Sequence, residues 1–254
     1  MVLVQKEVPI ATITINRPEK LNTLTPELIS SLTNAFREME GDEDVRIIIL
    51  TAAGDRAFVG GVDVHVFTGL DAAGAKGFIT DLHRCCLAIR ESSKIVIAAI
   101  NGHALGGGLE MAAACDLRVS SERARFGMPE VKIGLPSVIE AAYLPRLIGL
   151  GRAAELVYVG DMIDAQEAQR IGLINRVVPH EQLMKSTQDL AQKVLENGPT
   201  AMRLQKKLVM KWMNLPFDAS VEAGIMSFHD CFETPEPREG AMAFLEKRKP
   251  SWGK

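Results

Sequence analysis

Residues 95–116 read IVIAAINGHALGGGLEMAAACD, and residues 126–130 read FGMPE. The first six residues form a short, continuous apolar run, which is typical of a strand buried on both faces. Three glycines, Gly106 to Gly108, and then a run rich in Leu, Met and Ala predict a turn followed by a helix. This order indicates an anion site, because a helix N-terminus presents unbonded N–H groups and a partial positive charge.

Two carboxylates accompany this predicted site. Glu110 lies just inside the helix, and Glu130 follows Pro129. Taken alone, Glu110 is explained as an acid that favours the helix dipole, and Glu130 as a surface acid or salt-bridge partner. Taken together with N–H donors, the two carboxylates indicate acid–base chemistry on a carbonyl compound.

Composition limits the class of protein. The chain has 254 residues, of which 47% are hydrophobic and 24% charged, and its net charge is −3. This length suits one large domain or two small ones, and the charge does not favour a nucleic-acid partner. No apolar run approaches the ~20 residues of a membrane helix, and the N-terminus lacks a signal pattern. The four Cys lack metal-ligand spacing, so we expect reduced, buried thiols, no metal site and a cytoplasmic location.

The remaining pattern predicts an α/β protein. Apolar runs and alternation predict strands over 2–6, 10–16, 45–50, 95–100, 117–120 and 174–178. Helical spacing predicts helices from Thr25 to Gly41, over 71–90, from Gly107, over 137–149 and 151–160, from Asp164, and over 180–195, 199–213, 218–231 and 235–247. The recurrence of strand, strand, helix over the first part of the chain predicts a repeated unit. The helix over 199–213 has two apolar faces, which indicates an oligomer.

Several motifs resemble the enoyl-CoA hydratase/isomerase (crotonase) superfamily. The stretch 97–130 is similar to the family's central block, and NRPEKLN at 16–22 is similar to its early CoA-binding turn. AFVGGVD at 57–63 resembles its first oxyanion loop. GDMIDAQEA at 160–168 and GLINRVVP at 172–179 resemble its later blocks, so the resemblance extends over nearly the whole chain.

The resemblance implies a spiral of ββα units over 1–195, containing the active site, and a C-terminal helical region over 196–254 used in oligomerisation. It implies a homotrimer or a dimer of trimers. The implied substrate is an acyl-CoA thioester, with CoA as part of the substrate and no separate cofactor. Neither a nucleic acid nor a membrane is implied as a partner.

By position, the family's two oxyanion N–H groups correspond to Gly60 and Gly107. Its two catalytic glutamates correspond to Glu110, acting on water, and Glu130, acting on the α-carbon proton. The implied substrate-binding residues are Glu19, Lys20, Leu21, Phe58, Gly60, Gly61, Val62, Asp63, Gly107 and Glu140.

Two departures from the family pattern leave the reaction open. GLPSVIEAAY at 134–143 replaces the usual glycine-rich block near the acyl pocket and introduces Glu140, which either faces the acyl group or pairs with a cation such as Arg146. Val62 stands where many members have Ala. The favoured function is hydration of a 2-enoyl-CoA, and the alternatives are an isomerase, an acyl-CoA hydrolase or a non-catalytic acyl-CoA-binding protein. The two glutamates argue against the last of these.

Overall fold

A computed structural model describes residues 1–252 of the chain. Its larger sheet has six strands in the order β1-β2-β3-β5-β7-β10, with β1 and β2 antiparallel and the other pairs parallel. The strands of this sheet are β1 (Val2–Glu7), β2 (Ile10–Ile15), β3 (Ile47–Ala52), β5 (Ile95–Ile100), β7 (Leu117–Ser121) and β10 (Arg176–Val178). Each overlaps a segment predicted as a strand, although β3 ends two residues later and β10 is shorter than predicted.

A second sheet contains four very short strands in the order β4-β6-β8-β9. They are β4 (Ala57–Val59), β6 (His103–Leu105), β8 (Arg125–Gly127) and β9 (Ile163–Asp164). The sequence analysis missed this sheet because two or three residues show no periodicity. β4, β6 and β8 each follow a strand of the larger sheet, so the predicted recurrence of strand, strand, helix is confirmed for β3–β4 and β5–β6.

Ten helices lie within the described residues. They are α1 (Pro26–Gly41), α2 (Ala72–Arg90), α3 (Gly107–Ala114), α4 (Leu144–Ile148), α5 (Leu150–Val159), α6 (Ala165–Arg170), α7 (Leu183–Leu195), α8 (Pro199–Asn214), α9 (Phe217–Phe232) and α10 (Glu236–Leu245). Short 3₁₀ turns cover Pro18–Lys20, Val64–Gly69, Pro129–Ile133, Ile139–Tyr143 and His180–Gln182. No helix in residues 1–252 is both long enough and apolar enough to cross a membrane.

The predicted helix over 137–149 is wrong in its first half. Residues Ile139–Tyr143 form a 3₁₀ turn, and the α-helix starts only at Leu144. Pro145 lies in the first turn of α4, where it has no N–H to donate and its ring disfavours a preceding helical turn. The chain is therefore bent next to Glu140.

The larger hydrophobic cluster lies between the larger sheet and helices α1, α2 and α3, and a smaller one joins this sheet to Leu183 and Ala191 of α7. The apolar faces predicted for α1 and α2 are buried, including Phe36 and Leu82. All eight residues of α3 are buried, so this helix passes through the centre of the protein. Any group at the start of α3 is therefore held in surroundings with little water.

A buried ion pair joins the C-terminal helices to this core. Lys206 of α8 lies 2.8 Å from Asp116, which follows α3, and it also donates to the Lys94 carbonyl at 2.8 Å. The Asp116 carboxylate accepts the Val96 N–H at 2.7 Å. This ion pair anchors α8 on the core, and the predicted domain boundary at residue 195 stays a prediction.

Candidate active site

Glycines at the start of α3 allow three backbone segments to meet. Gly106 has φ +50° and donates its N–H to the Gly127 carbonyl at 2.9 Å. A Cβ at Gly106 would overlap the Glu130 carboxylate, and a Cβ at Gly108 would overlap the backbone of Val59. Glycine is therefore needed here for two reasons: the turn has a positive φ at Gly106, and neighbouring groups come too close to Gly106 and Gly108 for a side chain to fit.

Glu110 lies within the first turn of α3, and only 4% of its surface is exposed. The Ala141 N–H donates to its Oε1 at 3.0 Å. Burial raises the pKa of Glu110 to about 8, and the negative charges of Glu130 and Glu140 act in the same direction. A carboxyl group of this kind exchanges a proton near neutral pH, as an acid–base group must.

Glu130 is half-buried at the start of the 3₁₀ turn Pro129–Ile133. Burial raises its pKa, while the Ser137 hydroxyl donates to Oε2 at 2.9 Å and favours the ionised form. The sequence analysis did not identify Ser137 as a functional residue. The sequence did contain a clue to Ser137, because this polar residue follows Pro136 in the stretch 134–143 that departs from the family pattern.

The prediction that Gly60 supplies a free N–H is wrong. The Gly60 N–H donates to the Leu21 carbonyl at 2.9 Å. The next segment pairs with Leu24, which donates to the Gly61 carbonyl and accepts the Asp63 N–H, both at 2.9 Å. Because Leu24 bonds to the residues on either side of Val62, the Val62 N–H points away from Leu24, toward the other edge of this segment.

That opposite edge faces the start of α3. A Cβ placed on Gly107 would lie 3.6 Å from the Val62 side chain, so the two residues are neighbours. Among residues 1–252, no acceptor contacts the N–H of Val62 or of Gly107. The first N–H groups of a helix have no partner within it, which explains the free donor of Gly107. The structure thus provides two adjacent free donors, Gly107 as predicted and Val62 in place of Gly60.

The turn predicted to bind CoA packs directly against this loop. Glu19, Lys20 and Leu21 are exposed on it. The Asn22 side chain donates to the Ala53 and Ala57 carbonyls at 3.0 and 2.8 Å, which locks the turn in place.

Two further residues predicted to bind substrate, Asp63 and Phe58, have side chains that contact the protein itself. Asp63 forms an ion pair with Arg17 at 3.2 Å, so its carboxylate connects the turn to the loop. Phe58 is fully buried in the core, and its side chain is therefore not exposed to a ligand.

Glu140 does not pair with Arg146 as the sequence analysis considered. Its carboxylate is 1% exposed and binds two side chains of α2, His83 at 3.0 Å and Arg90 at 3.1 Å. Glu140 follows Ile139 in the 3₁₀ turn whose Ala141 N–H contacts Glu110. It is therefore one residue away from the group that holds Glu110.

Together these elements suit one kind of chemistry. Two free N–H groups stabilise a negative oxygen, and two carboxylates with raised pKa values lie at the same helix start. Among residues 1–252 no cluster of three His, Cys, Asp or Glu side chains has metal-binding geometry. The arrangement is suited to proton transfer next to a carbonyl group.

Comparison with known proteins agrees with this geometry. Residues 5–254 match the family model described as enoyl-CoA hydratase/isomerase. The short-chain-enoyl-CoA hydratase of Clostridium acetobutylicum is 37% identical, over 98% of this chain and 95% of the relative. The crotonyl-CoA hydratase of Syntrophomonas wolfei is 38% identical, over 98% and 96%. The crystal structure of an enoyl-CoA hydratase from Bacillus anthracis has a TM-score of 0.94 and 33% identity, covering 99% of this chain and 98% of that one.

Proposed function

The chain belongs to the enoyl-CoA hydratase/isomerase family, and we propose that it adds water across the double bond of a 2-enoyl-CoA thioester. The observation that supports this most directly is the placement of Glu110 and Glu130 at the start of α3, beside two free N–H groups. The relatives named as hydratases of short-chain enoyl-CoA and crotonyl-CoA favour a short acyl group.

The N–H groups of Gly107 and Val62 bind the thioester oxygen and stabilise the enolate charge that develops there. Glu110 takes a proton from water, and the water oxygen bonds to the β-carbon. Glu130 gives its proton to the α-carbon, so the carbon–carbon double bond is lost and one water is added. The reaction is redox-neutral, and both proton transfers are served by carboxyl groups, so we propose that it needs no metal or redox cofactor.

The isomerase and hydrolase alternatives depended on Glu140 as an additional acid. Its carboxylate is bound to His83 and Arg90 of α2, so it is occupied by these partners and not by an acyl group. The presence of both Glu110 and Glu130 favours an enzyme over a non-catalytic acyl-CoA-binding protein. Hydration therefore remains the better proposal.

We also propose a homotrimer or a dimer of trimers, located in the cytoplasm. The support for assembly is an apolar stripe along α9, where Phe217 is 81% exposed and Phe228 69% exposed. The stripe consists of Phe217, Val221, Ile225, Phe228 and Phe232. An exposed apolar helix face of this length is typical of a contact between subunits.

The proposed cytoplasmic location is supported by the cysteines, because Cys85, Cys86 and Cys115 are buried free thiols.

We expect Glu130→Gln and Glu110→Gln each to lower kcat about 10²- to 10⁴-fold, because each removes one proton transfer. CoA binding should be unchanged. The assay incubates the protein with crotonyl-CoA in ¹⁸O-water and measures label in the intact thioester by mass spectrometry. Glu122→Gln, an exposed acid outside the site, is the control. Unimpaired activity in Glu130→Gln would refute the assignment.

We expect kcat/KM to pass through a maximum with pH, because the proposed reaction needs Glu110 ionised and Glu130 protonated at the same time. Glu110 must be ionised to accept a proton from water, and burial raises its pKa to about 8 in the free protein. The titratable groups facing it are Glu130, Glu140 and the Cys86 thiol. Because the carboxyls interact, the apparent pKa belongs to the group of sites. A kcat/KM that does not vary with pH would contradict this protonation scheme.

We expect Val62→Pro to lower kcat about 10²- to 10³-fold, because it deletes one N–H donor to the developing oxyanion. Val62→Ala keeps the N–H and shortens the side chain, so it is the matched control and should retain most of kcat. Thermal melting establishes that both variants fold. Equal losses in the two variants would show that the side chain, and not the N–H, is what matters at this position.

We expect sedimentation equilibrium to give three or six times the chain mass of 27.7 kDa. Phe228→Glu places a charge in the middle of the α9 stripe and should shift the protein to a smaller species. His229→Glu changes the adjacent, polar position and should leave the mass unchanged. A monomeric wild-type protein would rule out the proposed assembly.

A further inference from the structure

A buried carboxylate outside the reacting groups is bound by two side chains of one helix. Glu140 lies 3.0 Å from His83 Nδ1 and 3.1 Å from the Arg90 guanidinium, and both partners belong to α2. Removing a carboxylate from water is costly unless cations and hydrogen bonds compensate. The two partners supply that compensation, and they connect the turn Ile139–Tyr143 to α2.

The backbone of this turn is strained. Ile139 has φ +24°, in a region that β-branched residues rarely adopt. A strained conformation persists only where the surroundings hold it, and such residues cluster at functional sites. The contacts of Glu140 with His83 and Arg90 hold the residue immediately after Ile139. The guanidinium of Arg90 also lies 5.2 Å from the ring centroid of Tyr143, at the other end of the turn.

The same turn contacts the reacting groups. Its Ala141 N–H is shared between two acceptors, the Val138 carbonyl at 2.8 Å and Glu110 Oε1 at 3.0 Å. The Glu140 side chain contacts α2, so it affects the position of Glu110 through the backbone of the next residue, while its negative charge also raises the pKa of Glu110. The anchor and the catalytic contact are thus consecutive residues on one strained turn.

We propose that Glu140 is a positioning residue: bound to His83 and Arg90, it holds the strained turn Ile139–Tyr143 so that the Ala141 N–H orients the carboxylate of Glu110. The structural part of the proposal depends only on these contacts. Its kinetic consequence rests on the proposed hydration. The role differs from that of an acid facing the acyl group, because Glu140 acts on Glu110 and not on substrate.

The first test compares Glu140→Ala and Glu140→Gln with Asp116→Asn. Asp116 and Lys206 form a second largely buried ion pair, located beyond the other end of α3, so Asp116→Asn controls for the loss of a buried pair as such. We expect Glu140→Ala to lower kcat about 10- to 100-fold with KM within about threefold, since a displacement of about 1 Å has this effect. Glu140→Gln keeps the shape and one acceptor, and should lie between wild type and Glu140→Ala.

The second test does not depend on catalysis. In wild-type protein labelled with ¹⁵N-alanine, the Ala141 amide resonance should move as Glu110 titrates, because its acceptor changes from carboxylate to carboxylic acid. Glu110→Gln should abolish this movement and so identifies its source. In Glu140→Ala the movement should be lost, while Asp116→Asn should retain it.

The outcomes separate the two proposals. Loss of the Ala141 titration together with a fall in kcat supports the positioning role. Three results would overturn it: a Glu140→Ala kcat within twofold of wild type, an Ala141 amide that still titrates in this variant, or a loss that appears only in KM. If wild-type protein hydrates no 2-enoyl-CoA, the proposed function fails, while the amide titration still decides whether Glu140 holds the turn.

Discussion

The close approach of backbone segments at Gly106 and Gly108 is the constraint on which the site depends. A side chain at either position would collide with the Glu130 carboxylate or with the backbone of Val59. Because only hydrogen occupies that space, α3 begins in contact with β4 on one side and with the turn after β8 on the other. The free N–H of Gly107 and the two carboxylates meet as a direct consequence.

Burial then changes the chemistry of these groups. α3 is surrounded by protein, so Glu110 loses water and its pKa rises to about 8. The Ala141 N–H opposes this shift by stabilising the ionised form, and the Ser137 hydroxyl does the same for Glu130. The result is two carboxyls with raised pKa values, and the proposed addition of water uses Glu110 in its ionised form and Glu130 in its protonated form.

Much of this architecture follows from local pattern, and the exceptions share a physical cause. The larger sheet, α1 and α2 were predictable because their segments carry apolar runs, alternation or helical spacing. The second sheet was not, since its strands contain two or three residues and are stabilised by neighbours distant in the chain. The break before Pro145 was overlooked, although proline provides a local signal for it.

The sequence by itself determined the residue types of the site: the glycines before α3, Glu110 in its first turn and Glu130 after Pro129. These features can be read from neighbouring residues, because each is defined by a short stretch of the chain: glycines before an apolar helix, an acid in its first turn and an acid after a proline. Only the tertiary structure decided that the Gly60 N–H is taken by Leu21 and the Val62 N–H is free, since bond direction depends on pairing with Leu24. It also decided that Glu140 binds His83 and Arg90, which lie 57 and 50 positions away in the chain. Contacts over such separations leave no periodic trace in the sequence, because they depend on how whole elements pack.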